Sequence, residues 1–487
     1  LTVSLFGLTA LIATSSAWVQ LMGLYGAQGI VPLAERMAAL ERSGVPFFQV
    51  PTVLWFGASD GWLHGVLAMA VGASLFLAAG LLPRVAALVL FVSWLSLVQV
   101  GAPFFNFQWD ILLLEASVVV ALWAPSGWRP FLAERPWVEP STASRFALAI
   151  LSCKVTLGSG VVKLASGDPA WRDLTALTYH WWTQPLPTWS SVLAHQWPLG
   201  VQKALCAMMF VLELVPPVLV FGPRSARLVG SGGLIAMQAA LFAAGNYSYF
   251  NLLTLVLAIA LLDDRALAAL GRPWGLRETT VLSVGASKAP PKRQAIAALG
   301  GWMLVVAYGL SSVAVFAHRW GVSTPLDAVV APLTRFHLVN AYGAFAVMTK
   351  NRVEIVVEGS GDGKRWVPYE FRYKPGRVDR RPVFVAPWQP RLDWQMWFAS
   401  LGSCSDNPWL LAFQQRLLSG SADVVGLLEA NPFPQAPPRY LRSTSYEYRF
   451  AALRAQNQWW ERTEVGAYCP VVTLREGRLQ QATEIDP

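Results

Sequence analysis

The chain has 487 residues, of which 54% are hydrophobic and only 14% charged. A soluble globular chain carries about 25% charged residues, so this composition argues against an ordinary soluble enzyme and for a membrane protein. The net charge of +9 includes no dense basic run, which argues against nucleic acid as a partner.

The average hides two regimes. Residues 1–330 contain 33 Lys, Arg, Asp and Glu, and residues 331–487 contain 34 in half the length. The expected architecture is a polytopic α-helical membrane domain over residues 1–317, followed by a water-exposed domain over residues 318–487. The second part is long enough for a core of its own.

A helix needs about 20 mostly apolar residues to cross the hydrocarbon core. Nine runs satisfy or approach this: 3–24, 62–82, 84–101, 109–125, 145–164, 200–221, 226–244, 246–263 and 295–317. The first lacks a signal-peptide cleavage pattern and reads as a retained span. Pro216-Pro217 should kink or break the sixth, because proline removes a backbone donor.

Orientation follows from Lys and Arg in the short connections. With the N-terminus in the cytoplasm, one side holds Arg84, Arg129, Arg135, Arg145, Arg224, Arg227, Arg265, Arg272, Arg277, Lys288, Lys292 and Arg293. The other side holds Arg36, Arg42 and Arg172, a bias of twelve to three. Nine spans then place the C-terminal domain in an extracytoplasmic space, periplasmic or lumenal.

The connections on that outer side share an unusual polar-aromatic chemistry: "FFNFQWD" (104–110), "GDPAWRDLTALTYHWWTQPLPTW" (167–189) and "AGNYSYFN" (244–251). An interfacial belt explains the Trp and Tyr. It explains less well Asn106, Gln108, Asp110, His180, Gln184, Asn246 and Asn251 packed among them, which suit a shared surface or cavity mouth beneath the outer domain. Glu115, Lys154, Lys163 and Glu213 interrupt the spans, and such charges need pairing, wetting or a function. Lys154 reads as the partner of Glu115 or Glu213, or as a participant in chemistry or transport. Lys163, near an outer end, reads most simply as a snorkelling side chain. The adjoining "GSGVVKL" (158–164) offers small residues for close helix approach.

In the C-terminal part residues 336–373 look like strands: within them "RVEIVVEGSGDGKRWVPYEFRY" (352–373) alternates, turns at its glycines and resumes. Glu358 stands where a phosphate loop needs glycine and Arg365 where it needs Ser or Thr, so that reading is rejected. Further strands are expected near 440–451 and 466–475, and helices near 391–402 and 407–418, giving a β-sandwich-like α+β domain. On the first of these helices, 391–402, Leu392, Gln395 and Phe398 fall near one face. Cys153 and Cys206 lie within spans, whereas Cys404 and Cys469 can form a disulfide in an oxidising space. Five scattered histidines offer no metal-ligand spacing, and no HExxH, CxxC, GxSxG or Walker A motif occurs.

Six blocks carry a family resemblance: "NFQWDILLLEAS" (106–117), "WRDLTALTYHWWTQPLP" (171–187), "GNYSYFNLLT" (245–254), "VNAYGAF" (339–345), "VEGSGDGKRWVPYEFRYKPG" (357–376) and "RRPVFVAPWQPRLDWQMWFA" (380–399). In these blocks and their order the chain resembles the lipase maturation factors. The resemblance implies a multi-pass protein with a lumenal C-terminal domain that helps newly made lipases reach their active form. It draws attention to Asn106, Gln108, Trp109, Asp110, Asp168, Trp171, Asp173, Tyr179, His180, Gln184, Pro185, Asn246 and Asn251 on the outer loops. In the C-terminal part it draws attention to Asn340, Tyr342, Glu358, Asp362, Arg380, Arg381, Arg391, Asp393 and Trp394. Arg380, Arg381 and Arg391 with Trp388, Trp394 and Trp397 suit either a client-gripping surface or packing back onto the membrane domain. Ala-, Leu- and Trp-rich spans with compact loops read as bacterial, so the membrane is a bacterial inner membrane, or the endoplasmic reticulum if the source is eukaryotic.

A second, shorter likeness points elsewhere. "GSGVVKLASGDPAW" (158–171) resembles the glycine–lysine–leucine segment of vitamin-K-dependent carboxylases, where the matching lysine acts as a base toward a reduced quinone. It implies an enzyme using Lys163 with Glu115 or His180, with a quinone as cofactor; the folding-factor reading needs no cofactor. An apolar cavity lined by Lys163 and His180 would favour the enzyme. A filled membrane core with an exposed groove on the outer domain would favour the folding factor.

Overall fold

The structure is a computed structural model that describes residues 1–128, 140–271, 291–452 and 458–482. Arg129, Arg135, Arg272, Arg277 and Lys288, counted above for orientation, lie outside the described residues, as do the side chains of Lys292 and Arg293.

The apolar runs become helices: α1 (Thr2–Trp18), α2 (Asp60–Ala78), α3 (Pro83–Val100), α4 (Gln108–Trp123) and α5 (Thr142–Ala165). They continue as α6 (Ala176–Thr183), α7 (Leu199–Leu214), α8 (Arg224–Ala244), α9 (Phe250–Ile259) and α10 (Pro291–Arg319). Local chemistry sets their ends. Ser59 and Ser141 accept from the backbone N–H groups of Trp62 and Ser144 to cap α2 and α5. Pro83 opens α3, and α7 stops at Leu214 just before Pro216, resuming as the single turn Pro216–Leu219.

Among the described residues six helices are long and apolar enough to cross a membrane: 60–78, 83–100, 142–165, 199–219, 224–244 and 295–319. The other three expected spans are shorter helices, of 17 residues for α1, 16 for α4 and 10 for α9. Gly7 makes the contact of α1 with α2 possible, since a Cβ there would stand 2.2 Å from the backbone nitrogen of Ala78.

The C-terminal part has one five-stranded antiparallel sheet of order β2-β1-β3-β4-β5. The strands are β1 (Arg352–Ser360), β2 (Val367–Pro368), β3 (Tyr440–Phe450), β4 (Trp460–Arg475) and β5 (Arg478–Gln481). The register pairs Ile355 with Ser445 and Tyr446 with Glu464. A second sheet, as a sandwich would need, is absent among the described residues. Helices α11 (Arg391–Ala399) and α12 (Pro408–Leu418) pack on the sheet instead. The disulfide Cys404–Cys469 ties the short turn Cys404–Asp406, which follows α11, to β4.

Strand alternation would give β1 one polar face, yet Arg352 and Glu354 are as buried as Ile355 and Val357. The reason is packing on both sides of β1. One continuous apolar core runs from the helical bundle, through Phe104 and Tyr342, into the sheet part at Ile355, Leu392 and Leu441. The buried side of α11 is Leu392, Trp394, Met396, Trp397 and Ala399, and Phe398 is exposed, which corrects the expected face.

Candidate functional site

The sheet part is fastened to one end of the bundle by buried polar groups. Asp110, in the first turn of α4, accepts two bonds from Arg391 on α11: Nη1 to Oδ2 at 2.9 Å and Nη2 to Oδ1 at 2.8 Å. Arg391 also donates to the Phe104 carbonyl at 2.6 Å, and its guanidinium lies 3.7 Å from the Phe105 ring centre. Tyr249 donates its hydroxyl to the same carboxylate at 2.6 Å. Both charged side chains are fully buried.

Further along α4, Glu115 gathers a second cluster. It pairs with Lys154 of α5 and accepts from Tyr308 at 2.6 Å, Asn340 at 2.9 Å and Tyr342 at 2.6 Å. The partner of Lys154 is therefore Glu115, and Glu213 belongs to Lys163, 2.6 Å away. Lys163 is 4% exposed and does not snorkel: it pairs with Glu213 and lies over the Trp171 ring. Gly158 lets the backbone at Tyr342 pack closely on α5: a Cβ there would meet the Tyr342 carbonyl at 2.6 Å.

Between these fastenings lies a cavity of about 920 Å³. Loops 104–110, 167–189 and 244–251 meet there with residues 343–349 and the end of α11. Its polar wall includes Asn106, Gln108, Lys163, His180, Glu213 and Tyr247. Its apolar wall includes Trp109, Trp171, Trp181, Pro185, Met208, Met209, Leu212, Trp394 and Trp397. His180 sits 2.6 Å from the Tyr247 hydroxyl, which donates to Gln184 Oε1 at 3.0 Å. Burial, with Lys163 adding to it, holds the His180 imidazole down to about 4, so it is neutral near pH 7.

The remaining candidates are mostly fasteners. Gln108 donates to the Gly343 carbonyl at 2.6 Å, and Asp168 accepts from the Met348 backbone N–H at 2.7 Å. Trp171 donates to the Phe345 carbonyl at 3.0 Å. Asn246 donates to Leu186 and Val383 carbonyls and accepts from the N–H groups of Val385 and Ala386. Asn251 donates to Gln238 inside the bundle. Asp393 accepts from the N–H groups of Tyr373 and Lys374, and burial raises its carboxyl pKa.

Others sit away from the cavity. Asp173 forms an exposed pair with Arg172, and Tyr179 lies under Lys350. Glu358 pairs with Arg442, and Arg380 with Glu429. Arg381 spans the rings of Trp189 and Trp459. The Asp362 carboxylate is held down to about 2 by the N–H groups of Arg365 and Lys364 in the glycine turn. Of the Arg- and Trp-rich stretch, Arg391, Trp394 and Trp397 pack back against the membrane part.

Sequence reasoning missed Gln20, which donates to the Gln389 carbonyl and accepts from the Arg391 N–H. It also missed Arg352, which donates to the carbonyls of Trp182, Gln184 and Pro185 while pairing with Glu354, itself bound to Lys374. Arg352 and Glu354 looked like an ordinary solvated strand face. Among the described residues no group of His, Cys, Asp and Glu could hold a metal ion.

Family models agree with this division of the chain. One described as the lipase maturation factor transmembrane domain matches residues 2–269, and one described as the lipase maturation factor C-terminal domain matches residues 338–470. The chain is 33% identical to lipase maturation factor 2 of Gallus gallus, over 98% of this chain and 81% of that protein. It is 32% identical to lipase maturation factor 2 of Homo sapiens (96% and 82% covered). Lipase maturation factor 1 of Bos taurus is 30% identical, with 96% and 87% covered. No solved structure matches. By these matches over nearly its whole length, together with its membrane-length helices, the chain is a multi-pass membrane protein and belongs to the lipase maturation factor family.

Proposed function

We propose that this protein is a membrane-embedded maturation factor that assists the folding or assembly of exported proteins, lipases among them, without covalent chemistry of its own. The observation that carries the reading is the match to proteins named lipase maturation factors across 96–98% of the chain. In this reading the chain crosses the membrane nine times from a cytoplasmic N-terminus. Residues 1–317 form the membrane domain, and residues 318–487 face the periplasm or lumen, where clients emerge. An extracytoplasmic setting also suits the disulfide Cys404–Cys469.

A second reading has one specific observation in its favour. Lys163 and His180 both line an apolar cavity, the arrangement expected of a quinone-using enzyme that modifies exported proteins. Against it, Lys163 is engaged by Glu213 at 2.6 Å, so acting as a base would first require that pair to part.

Quantitative mass spectrometry of exported proteins, from cells with and without the gene, separates the two. The maturation reading expects lipase-like proteins to lose abundance or activity while their peptide masses stay unchanged, with a Lys163→Ala copy keeping clients chemically identical. Peptides that lose the mass of an added group, unrestored by Lys163→Ala, would overturn it in favour of the enzyme.

A further inference from the structure

In the sheet order β4 lies between β3 and β5, but β5 pairs only with Val472–Arg475. Residues 460–464 pair with β3 on one side. Their other side is an open sheet edge among the described residues. Glu461, Arg462, Thr463, Glu464 and Val465 are all exposed, Val465 to 63%. An open edge offers unpaired backbone groups to any strand that meets it, and proteins guard such edges with proline, a bulge, like charges or a covering segment. Pro470 and the bulge at Val465 guard the residues beyond. From Glu461 to Glu464 there is neither proline nor bulge, and the charges are of mixed sign.

The register tells which backbone groups turn outward. In an antiparallel pair, residues that exchange bonds with the neighbour alternate with residues that turn their N–H and C=O away from it. The Ala451 N–H bonds to the Trp459 carbonyl, which makes Trp459 a bonded position. The register runs unbroken from Phe450 opposite Trp460 to Tyr446 opposite Glu464. Glu461 and Thr463 therefore bond to β3, and Trp460, Arg462 and Glu464 turn away from it. The Trp460 N–H agrees, since it bonds to the Val378 carbonyl outside the sheet. Arg462 and Glu464 are left as the outward-turned residues of the open edge.

These two carry opposite charges and flank Thr463. A two-fold axis through Thr463 sets Arg462 of one copy opposite Glu464 of the other, and the reverse, with each pair able to exchange both backbone bonds. Centring the axis on Arg462 or on Glu464 would set like charges opposite each other, which is destabilising. Centring it between residues would set outward-turned groups against groups already bonded to β3. One register satisfies both the backbone and the charges.

We infer that this edge is a self-pairing surface, through which two copies of the chain join residues 461–465 of β4, antiparallel about Thr463, into one continuous sheet. The partner is a second copy because the edge is complementary to itself. The pairing is short, so the association is weak and reversible. It goes beyond the maturation reading and does not depend on it.

The test uses the full chain with Thr463→Cys, reconstituted in phosphatidylcholine vesicles and oxidised with copper phenanthroline. Thr463 would meet its own counterpart at a non-bonded position, where Cα atoms stand about 4.5 Å apart, within the span of a disulfide. The expected result is a band of doubled mass on a non-reducing gel that the parent chain does not give. In the same background, Arg462→Glu or Glu464→Arg makes both charge pairs repulsive and should cut that band roughly fivefold or more. Combining Arg462→Glu with Glu464→Arg restores both pairs and should bring the band back, which neither a folding defect nor random collision would do. No band, a band indifferent to the single reversals, or one that the combined variant fails to restore would overturn the inference. So would a Thr463→Cys chain that crosslinks in cells to exported polypeptides in place of its own copy, since the edge would then serve clients.

Discussion

Replacing Arg391 with methionine keeps most of the buried stem and removes the guanidinium that joins α11 to α4. Asp110 then loses both of its charged donors and keeps the Tyr249 hydroxyl at 2.6 Å and a weak contact from the Phe107 N–H at 3.4 Å. The Phe104 carbonyl loses its partner as well. Removing one member of a buried ion pair costs about 3–5 kcal/mol, because the other is left buried and uncompensated. Arg391→Met should therefore lower stability by about 3–5 kcal/mol, and Asp110→Leu by a similar amount. The double variant removes both charges, so it should be less damaging than the sum of the two by at least about 2 kcal/mol. Equilibrium unfolding in detergent micelles, followed by tryptophan fluorescence, measures all three. If Arg391→Met unfolds within about 0.5 kcal/mol of the parent, or if the two single effects simply add, the pair is not what holds the sheet part down.

Three further outcomes follow from the geometry. Replacing Cys404 and Cys469 by serine opens a loop spanning 65 residues and should cost roughly 4 kcal/mol by chain entropy; an unchanged unfolding midpoint would mean that the crosslinked segment is already ordered in the unfolded chain. The His180 pKa is lowered from 6.5 to about 4 by burial. Between those values the unfolded chain binds a proton that the folded chain refuses, so stability falls as pH drops through that window, by about 3 kcal/mol at most, and no effect remains above pH 6.5. Melting curves from pH 7 to pH 4 should be flatter for His180→Gln than for the parent, and parallel curves would rule the assignment out. Gly158→Ala would put a methyl group 2.6 Å from the Tyr342 carbonyl, so it should destabilise by about 1–3 kcal/mol; a neutral result in the same unfolding assay would show that the contact yields easily.

Much of the fold was legible because hydrophobic periodicity is local. The nine apolar runs each became a helix, and expected helices 391–402 and 407–418 appear as Arg391–Ala399 and Pro408–Leu418. The break at Pro216 follows from a missing backbone donor. Pairing is not local. Lys154 could have met Glu115 or Glu213 on helix spacing alone, and only the rotation of α4 and α7 about α5 decides between them. Lys163 looked like a snorkelling residue because nothing in its neighbourhood foretells that Glu213, 50 residues away, will pair with it. The same holds for Arg352 and Glu354, whose alternation in β1 is that of a solvated face. What buries them is the loop 182–185, whose carbonyls bind Arg352 from about 170 residues away. The polar-aromatic loops did signal a shared location, since so many amides among aromatics are too polar for a simple interfacial belt.

The distribution of buried polar groups also constrains how the sheet part can move over the cavity. Around it, Asp110 holds Arg391, Glu115 holds Asn340 and Tyr342, and Asp168 holds the Met348 N–H. Asn246 holds the backbone of Val383, Val385 and Ala386, and Thr183 accepts from the Trp397 indole. Lifting the sheet part away from the bundle would unmake these bonds together, and the Arg391–Asp110 pair alone costs about 3–5 kcal/mol to break from one side. The rim residues Leu205, Met208, Phe398 and Leu401 are by contrast apolar and exposed, and their side chains hold no part of the sheet in place by hydrogen bonds. The sheet part is therefore a fixed roof over the cavity. The two groups of residues should accordingly separate in experiment. Substitutions at the fasteners should lower stability and abundance, whereas polar substitutions at the exposed Met208 or Leu401 should leave unfolding unchanged.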